Sequence, residues 1–163
     1  MDILIGNICS LLAMITDSIS STQKTTKRVL LWQNVGQVIY SVGAIFLRGY
    51  SAAVQNAVSL LRNLTAMHGR PPKWVEYALI GIAVVLGIVF NNLGCWGFLP
   101  IIGNLVYSVA VFRFRENERA LKMMFLFCVA SFLVFNAVIL NFVGVVANIV
   151  IFSTTLISLL KKR

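Results

Sequence analysis

Gln37, Tyr40, Asn56 and Asn148 are the side chains whose type and spacing could hold a small molecule in this sequence. Each lies in an otherwise apolar stretch, where a polar group must face a partner or a wet cavity. Gln33, Gln37 and Tyr40 recur at helical intervals, as do Gln55, Asn56, Ser59, Arg62 and Asn63. Two inward-facing polar stripes follow. Asn7 and Asn104 add one amide each toward the outer side of their segments. Amides donate and accept without charge, so a cavity lined this way suits a neutral solute such as a sugar, nucleoside or vitamin. Their competing role is to join helices, at about 0.6 kcal/mol per interhelical bond.

Two charged residues stand out. Arg62 falls inside the third apolar stretch and Asp17 near the end of the first. A pair between them is expected to gate the cytoplasmic side when the cavity faces outward, because a lone charge in hydrocarbon is costly. Asp2, Glu76, Glu116 and Glu118 sit at ends or in connections, and His68, the one histidine, lies in a basic connection. Proton coupling usually needs an intramembrane acid or histidine, so facilitated passage is expected. Cys9, Cys95 and Cys128 are scattered and odd in number, which argues for packing rather than a disulfide framework or metal site. With no phosphate loop, no metal-ligand cluster and no nucleophile beside a base, neither catalytic residues nor a cofactor are expected. The chain does not read as an enzyme.

The elements that position these groups are seven apolar stretches: Ile3 to Ser20, Val29 to Leu47, Ser51 to Met67, Trp74 to Phe90, Gly97 to Phe112, Leu121 to Leu140 and Val143 to Leu160. Each approaches the roughly 20 residues that cross about 30 Å of hydrocarbon. A hydrophobic fraction of 59% beside 12% charged residues leaves too little polar surface to clothe a water-soluble globule. The lipid bilayer is therefore the expected solvent. The first stretch lacks a basic leader and a small-residue cleavage pattern, so it is read as retained.

The formal net charge of +9 could suggest nucleic acid, but its placement excludes that reading. Lys24, Lys27 and Arg28 follow the first stretch; Arg70 and Lys73 follow the third; Arg113, Arg115, Arg119 and Lys122 follow the fifth; Lys161, Lys162 and Arg163 end the chain. Opposite connections carry Arg48 alone. Alternation of this kind predicts a multi-pass protein with its amino terminus outside, its carboxyl terminus cytoplasmic, and an odd number of crossings.

Internal likeness divides the chain. Ile5-Gly6-Asn7 recurs as Ile102-Gly103-Asn104, 97 residues later, and Tyr50 to Asn56 is matched by Phe142 to Asn148, 92 residues later. The expected architecture is all-α: seven transmembrane helices as two parallel three-helix repeats joined by a linker helix. Residues 1–69 form the first repeat, 70–96 the linker helix with its flanking loops, and 97–163 the second repeat. Parallel repeats about an axis along the membrane normal enclose a solute site near the midplane in known carriers.

The run Ile19-Ser20-Ser21-Thr22-Gln23-Lys24, then Leu31-Trp32-Gln33, Phe46-Leu47-Arg48-Gly49-Tyr50-Ser51-Ala52-Ala53, and Asn56 to Arg62-Asn63 resembles the YgjV family of small bacterial inner-membrane proteins. More distantly, the three-plus-one-plus-three pattern is similar to SWEET sugar carriers and PnuC vitamin transporters. The SWEET resemblance implies that Asn56 and Asn148 contact solute. This chain departs from it by lacking Pro-Gln in the first and fifth stretches, its prolines being Pro71, Pro72 and Pro100, and Trp32, Trp74 and Trp96 are too dispersed for a PnuC-like aromatic slot. The leading expectation is a facilitative carrier with alternating access, in which Gln37, Asn56 and Asn148 bind and Tyr40 shapes the pocket. Two other readings remain open: a vitamin-binding receptor served by a separate energising complex, and a scaffold without a cavity. The sequence names neither the solute nor whether the chain forms a homo-oligomer.

Overall fold

A computed structural model of the chain describes residues 1–21, 26–67, 71–114 and 117–161. Seven α-helices fall on the seven apolar stretches: α1 (Asp2–Ser21), α2 (Thr26–Phe46), α3 (Tyr50–Met67), α4 (Lys73–Val89), α5 (Phe98–Arg113), α6 (Glu118–Val138) and α7 (Phe142–Lys161). A 3-10 turn, Gly94–Gly97, precedes α5, and no strand occurs among the described residues.

Local chemistry explains the boundaries. Pro72 caps α4 in an extended conformation, φ −63° and ψ 148°, where a missing N–H costs nothing because first-turn amides have no intrahelical acceptor. Asn117 caps α6 by accepting from the Ala120 N–H at 3.0 Å, and Asn141 does the same for α7 through the Gly144 N–H at 3.0 Å.

Helices α2 and α6 end alike. Arg48 at φ 56° and Leu140 at φ 59° are the non-glycine residues with left-handed backbone among the described residues. Around Arg48, Gly49 N–H donates to the Ala44 carbonyl at 2.8 Å and Arg48 N–H to the Ile45 carbonyl at 3.0 Å. Around Leu140, Asn141 N–H donates to the Asn136 carbonyl at 2.9 Å and Leu140 N–H to the Ala137 carbonyl at 3.3 Å. Both are Schellman terminations, which satisfy carbonyls that the ended helix leaves free.

Helix α2 packs between α1 and α3, and α6 packs between α5 and α7. The ring closes where α3 meets α5 and α7 meets α1, while α4 bridges α3 and α5. A core of Ala44, Leu47, Ala52, Ala53, Phe135 and Ile139 gathers where the two Schellman hairpins meet, with Leu93, Leu99 and Phe132 against it. Phe135 is fully buried there, and a Cβ at Gly49 would lie 3.1 Å from its ring. The hairpin end of the bundle is thus sealed by apolar side chains.

Elsewhere the polarity is inverted relative to a water-soluble bundle. Large apolar residues such as Leu4, Val85, Val89, Phe142, Val150 and Leu160 are exposed, whereas Gln55, Asn63, Asn104 and Asn34 are buried. Among the described residues, one helix meets the length and composition of a membrane crossing, over Asp2–Ser20, and shorter apolar helices cover Gly94–Ala110, Lys122–Val138 and Phe142–Ile157.

Candidate functional site

A connected polar network lies in the seam of α3, α4 and α5. Gln55, 1% exposed, donates through Nε2 to the Ala83 carbonyl of α4 at 2.8 Å. Its Oε1 accepts from Asn104 Nδ2 of α5 at 2.7 Å. Asn104 Oδ1 in turn accepts from Arg62 Nη1 at 3.5 Å, and the same nitrogen donates to Ser108 Oγ at 3.2 Å. The Arg62 guanidinium stands 5.8 Å from the Tyr107 ring centroid, within reach of a cation–π attraction. Gly87 lets α4 approach: a Cβ there would lie 2.7 Å from Gln55 Nε2. A cavity of about 10 Å³ adjoins this network, bounded by Ser59, Arg62, Asn104 and Ser108 and by Leu79, Ile80 and Ala83 of α4.

Sequence spacing placed Gln55, Ser59 and Arg62 on one face of α3, and the structure keeps them there. It missed Tyr107 and Ser108. With Asn104 they stand at the three- and four-residue intervals that share a helix face, so the signal was present in α5.

Asp17 and Arg62, expected to pair when the cavity faces outward, have different neighbours in this structure. Asp17 lies against α2, where a Cβ at Gly36 would sit 2.9 Å from its Oδ1, and it interacts electrostatically with Tyr40 of the same helix. The missing side chain at Gly36 lets α1 and its Asp17 carboxylate come close to α2, while Arg62 turns to α5. Tyr40 therefore faces α1.

Asn7 serves the hairpin end. Its Nδ2 donates to the Leu140 carbonyl at 3.0 Å and to the Ile3 carbonyl at 2.8 Å, and its Oδ1 accepts from the Val143 N–H at 3.1 Å. Asn104, 97 residues later, has left that duty. Asn92 supplies the matching bond instead, from Nδ2 to the Arg48 carbonyl at 2.8 Å.

Asn56 on α3 and Asn148 on α7 are half-buried, with no hydrogen bond among the described residues. Their helices share no extended packing seam. Gln33 and Gln37 are half-buried on α2. Gln37 Oε1 and Asn34 Oδ1 are sealed from solvent without a donor among the described residues, as is Ser51 Oγ. Such atoms cost free energy unless something fills the place of the missing partner. Among the described residues no group of three or more histidine, cysteine or acidic side chains is placed to hold a metal ion.

An all-helical bundle with an apolar exterior and a polar seam defines a protein built for lipid surroundings. The chain belongs to the YgjV family of bacterial inner membrane proteins, whose sequence pattern it matches over residues 4–163. No curated protein and no solved structure matches it, so the resemblance to SWEET and PnuC carriers gains no support from those comparisons.

Proposed function

We propose that the chain is a facilitative carrier of a small neutral hydrogen-bonding solute, a sugar, nucleoside or vitamin, across the inner membrane. The reading takes the seven helices as seven crossings, with the amino terminus outside and the basic connections cytoplasmic. One observation carries it. The Arg48 and Leu140 hairpins repeat the same backbone bonds at a separation of 92 residues, the separation that aligns Asn56 with Asn148. Helix adjacency agrees with two repeats, since exchanging α1, α2 and α3 for α5, α6 and α7 leaves the order around the ring unchanged. Two like halves that rock about a shared site are a carrier design. The Phe135 core corresponds, on this reading, to a state closed on the outside. Gln37, Asn56 and Asn148, whose Oε1 or amides have no partner among the described residues, are the groups that would hold solute.

A non-transporting bundle is the second reading. It is favoured by Gln55 and Asn104, which satisfy one another, and by a neighbouring cavity of only about 10 Å³. Proteoliposomes separate the two. A carrier releases at least one solute of a broad panel faster than empty liposomes do, and Gln37→Leu slows it; release equal to that of empty liposomes across the panel contradicts the carrier reading.

A further inference from the structure

Arg62 is a cation in a helix of the bundle, and its three nearby polar partners are neutral. Asn104 and Ser108 occupy Nη1 alone, and Tyr107 offers a ring face. Nε and Nη2 make no hydrogen bond among the described residues. Asp17, expected to pair with it when the cavity faces outward, lies here against Gly36 of α2. Buried charges are ordinarily paired, because removing an ion from water costs several kcal/mol unless a counter-charge replaces the lost hydration.

The space beside the guanidinium is suited to that counter-charge. The cavity of about 10 Å³ has no acidic residue in its wall, and its volume is about that needed for one water or one oxygen of a ligand. Ser59 and Ser108 both line it, and neither hydroxyl donates to a protein atom among the described residues. Arg62, Ser59 and Ser108 thus border one small space, and the guanidinium and both hydroxyls keep donors in hand there. A planar fork of donors matches the two oxygens of a carboxylate or phosphate. The arrangement belongs to one half of the chain only, because the residue 92 positions beyond Arg62 is Thr154.

We propose that the seam of α3, α4 and α5 seats one small oxyanion, a carboxylate or phosphate group, held by Arg62 with Ser59 and Ser108. The group comes from the carried solute or from an anionic lipid headgroup. This deepens the carrier reading by replacing a wholly neutral solute with one that bears an oxyanion. Binding requires no flux, so the seat and the carrier can fail separately.

The test is thermal unfolding of the purified full chain in a neutral detergent. One arm titrates inorganic phosphate and acetate against sodium chloride of equal ionic strength; another adds phosphatidylglycerol against phosphatidylcholine. The seat predicts a saturable rise in unfolding midpoint in at least one arm, as expected of a ligand that binds only the folded state. Arg62→Gln abolishes it, Arg62→Lys retains a weakened response, and Ser108→Ala raises the half-saturating concentration by about tenfold, the equivalent of one lost hydrogen bond to a charged group. A response to phosphate or acetate assigns the seat to the solute, and one confined to phosphatidylglycerol assigns it to lipid. No midpoint shift in either arm in the wild-type chain, or an equal shift in Arg62→Gln, overturns the proposal. If Arg62→Gln does not fold, an unchanged half-saturation in Ser108→Ala overturns it equally.

Discussion

Arg48 and Leu140 stand 92 residues apart and adopt the same left-handed backbone, each closing a helix with the same pair of bonds. Their carbonyls are also both claimed by an asparagine from elsewhere in the chain, Asn92 for Arg48 and Asn7 for Leu140. A bulky side chain in this conformation costs roughly 1 to 2 kcal/mol, and two such costs at matched positions show how tightly the hairpin end determines the backbone.

Arg48→Gly and Leu140→Gly should each stabilise the protein. Glycine removes the steric cost at positive φ, and its greater freedom in the unfolded chain offsets part of the gain, leaving about 0.5 to 1 kcal/mol. Unfolding midpoints in detergent check this, and a lower midpoint in both variants would contradict the strain argument.

Asn7→Ala should destabilise more than Asn92→Ala. The first leaves the Leu140 carbonyl and the Val143 N–H without their partner, whereas the second frees only the Arg48 carbonyl among cross-chain acceptors. These bonds are exposed or part-buried, so each lost one costs about 0.5 to 1.5 kcal/mol. The ranking of the two midpoints is the readout.

Gln55→Leu and Asn104→Leu remove opposite ends of one bond, so either alone strands the other amide. The double variant should lose less than the two single losses together. A coupling of about 0.5 to 2 kcal/mol is expected for neighbours in one network. Strict additivity in the cycle would mean that the bond contributes nothing.

Gly36→Ala and Gly81→Ala should act in opposite directions. A Cβ at Gly36 would lie 2.8 Å from Thr16 Oγ1 and 2.9 Å from Asp17 Oδ1, while one at Gly81 meets nothing within 4 Å. Overpacking the α1–α2 contact costs about 1 to 3 kcal/mol, whereas alanine in an open helical position gains about 0.5 to 1 kcal/mol. Comparing the two variants separates crowding from helix propensity.

The seven helices were legible because apolar length and turn residues act locally: Pro71-Pro72 opens α4, and Asn117 and Asn141 cap α6 and α7. The polar face of α3 was legible for the same reason, through helical spacing. The partner of Arg62 was not. Opposite charge suggested Asp17, but partner choice depends on how closely two helices approach, and Gly36 decides that for α1 and α2. Asn7 looked like a solute ligand because an amide's role depends on what its helix faces, and it faces the Leu140 hairpin. The likeness of the two hairpins was visible in Tyr50 to Asn56 and hidden in Leu47-Arg48-Gly49, because a Schellman ending is written in backbone bonds that different side chains can share.

The carrier account is tested most directly by locking the hairpin end. With Cys9, Cys95 and Cys128 replaced by serine, cysteines introduced by Gly49→Cys and Phe135→Cys stand on two sides of the core that seals that end. A short bis-thiosulfonate oxidant spans the space left by the Phe135 ring to bridge the two thiols. In proteoliposomes loaded with a solute that the unlocked chain carries, oxidation should stop release and a reductant should restore it. Release that continues unchanged through oxidation, with the cross-link verified, would contradict passage by alternate opening of this end.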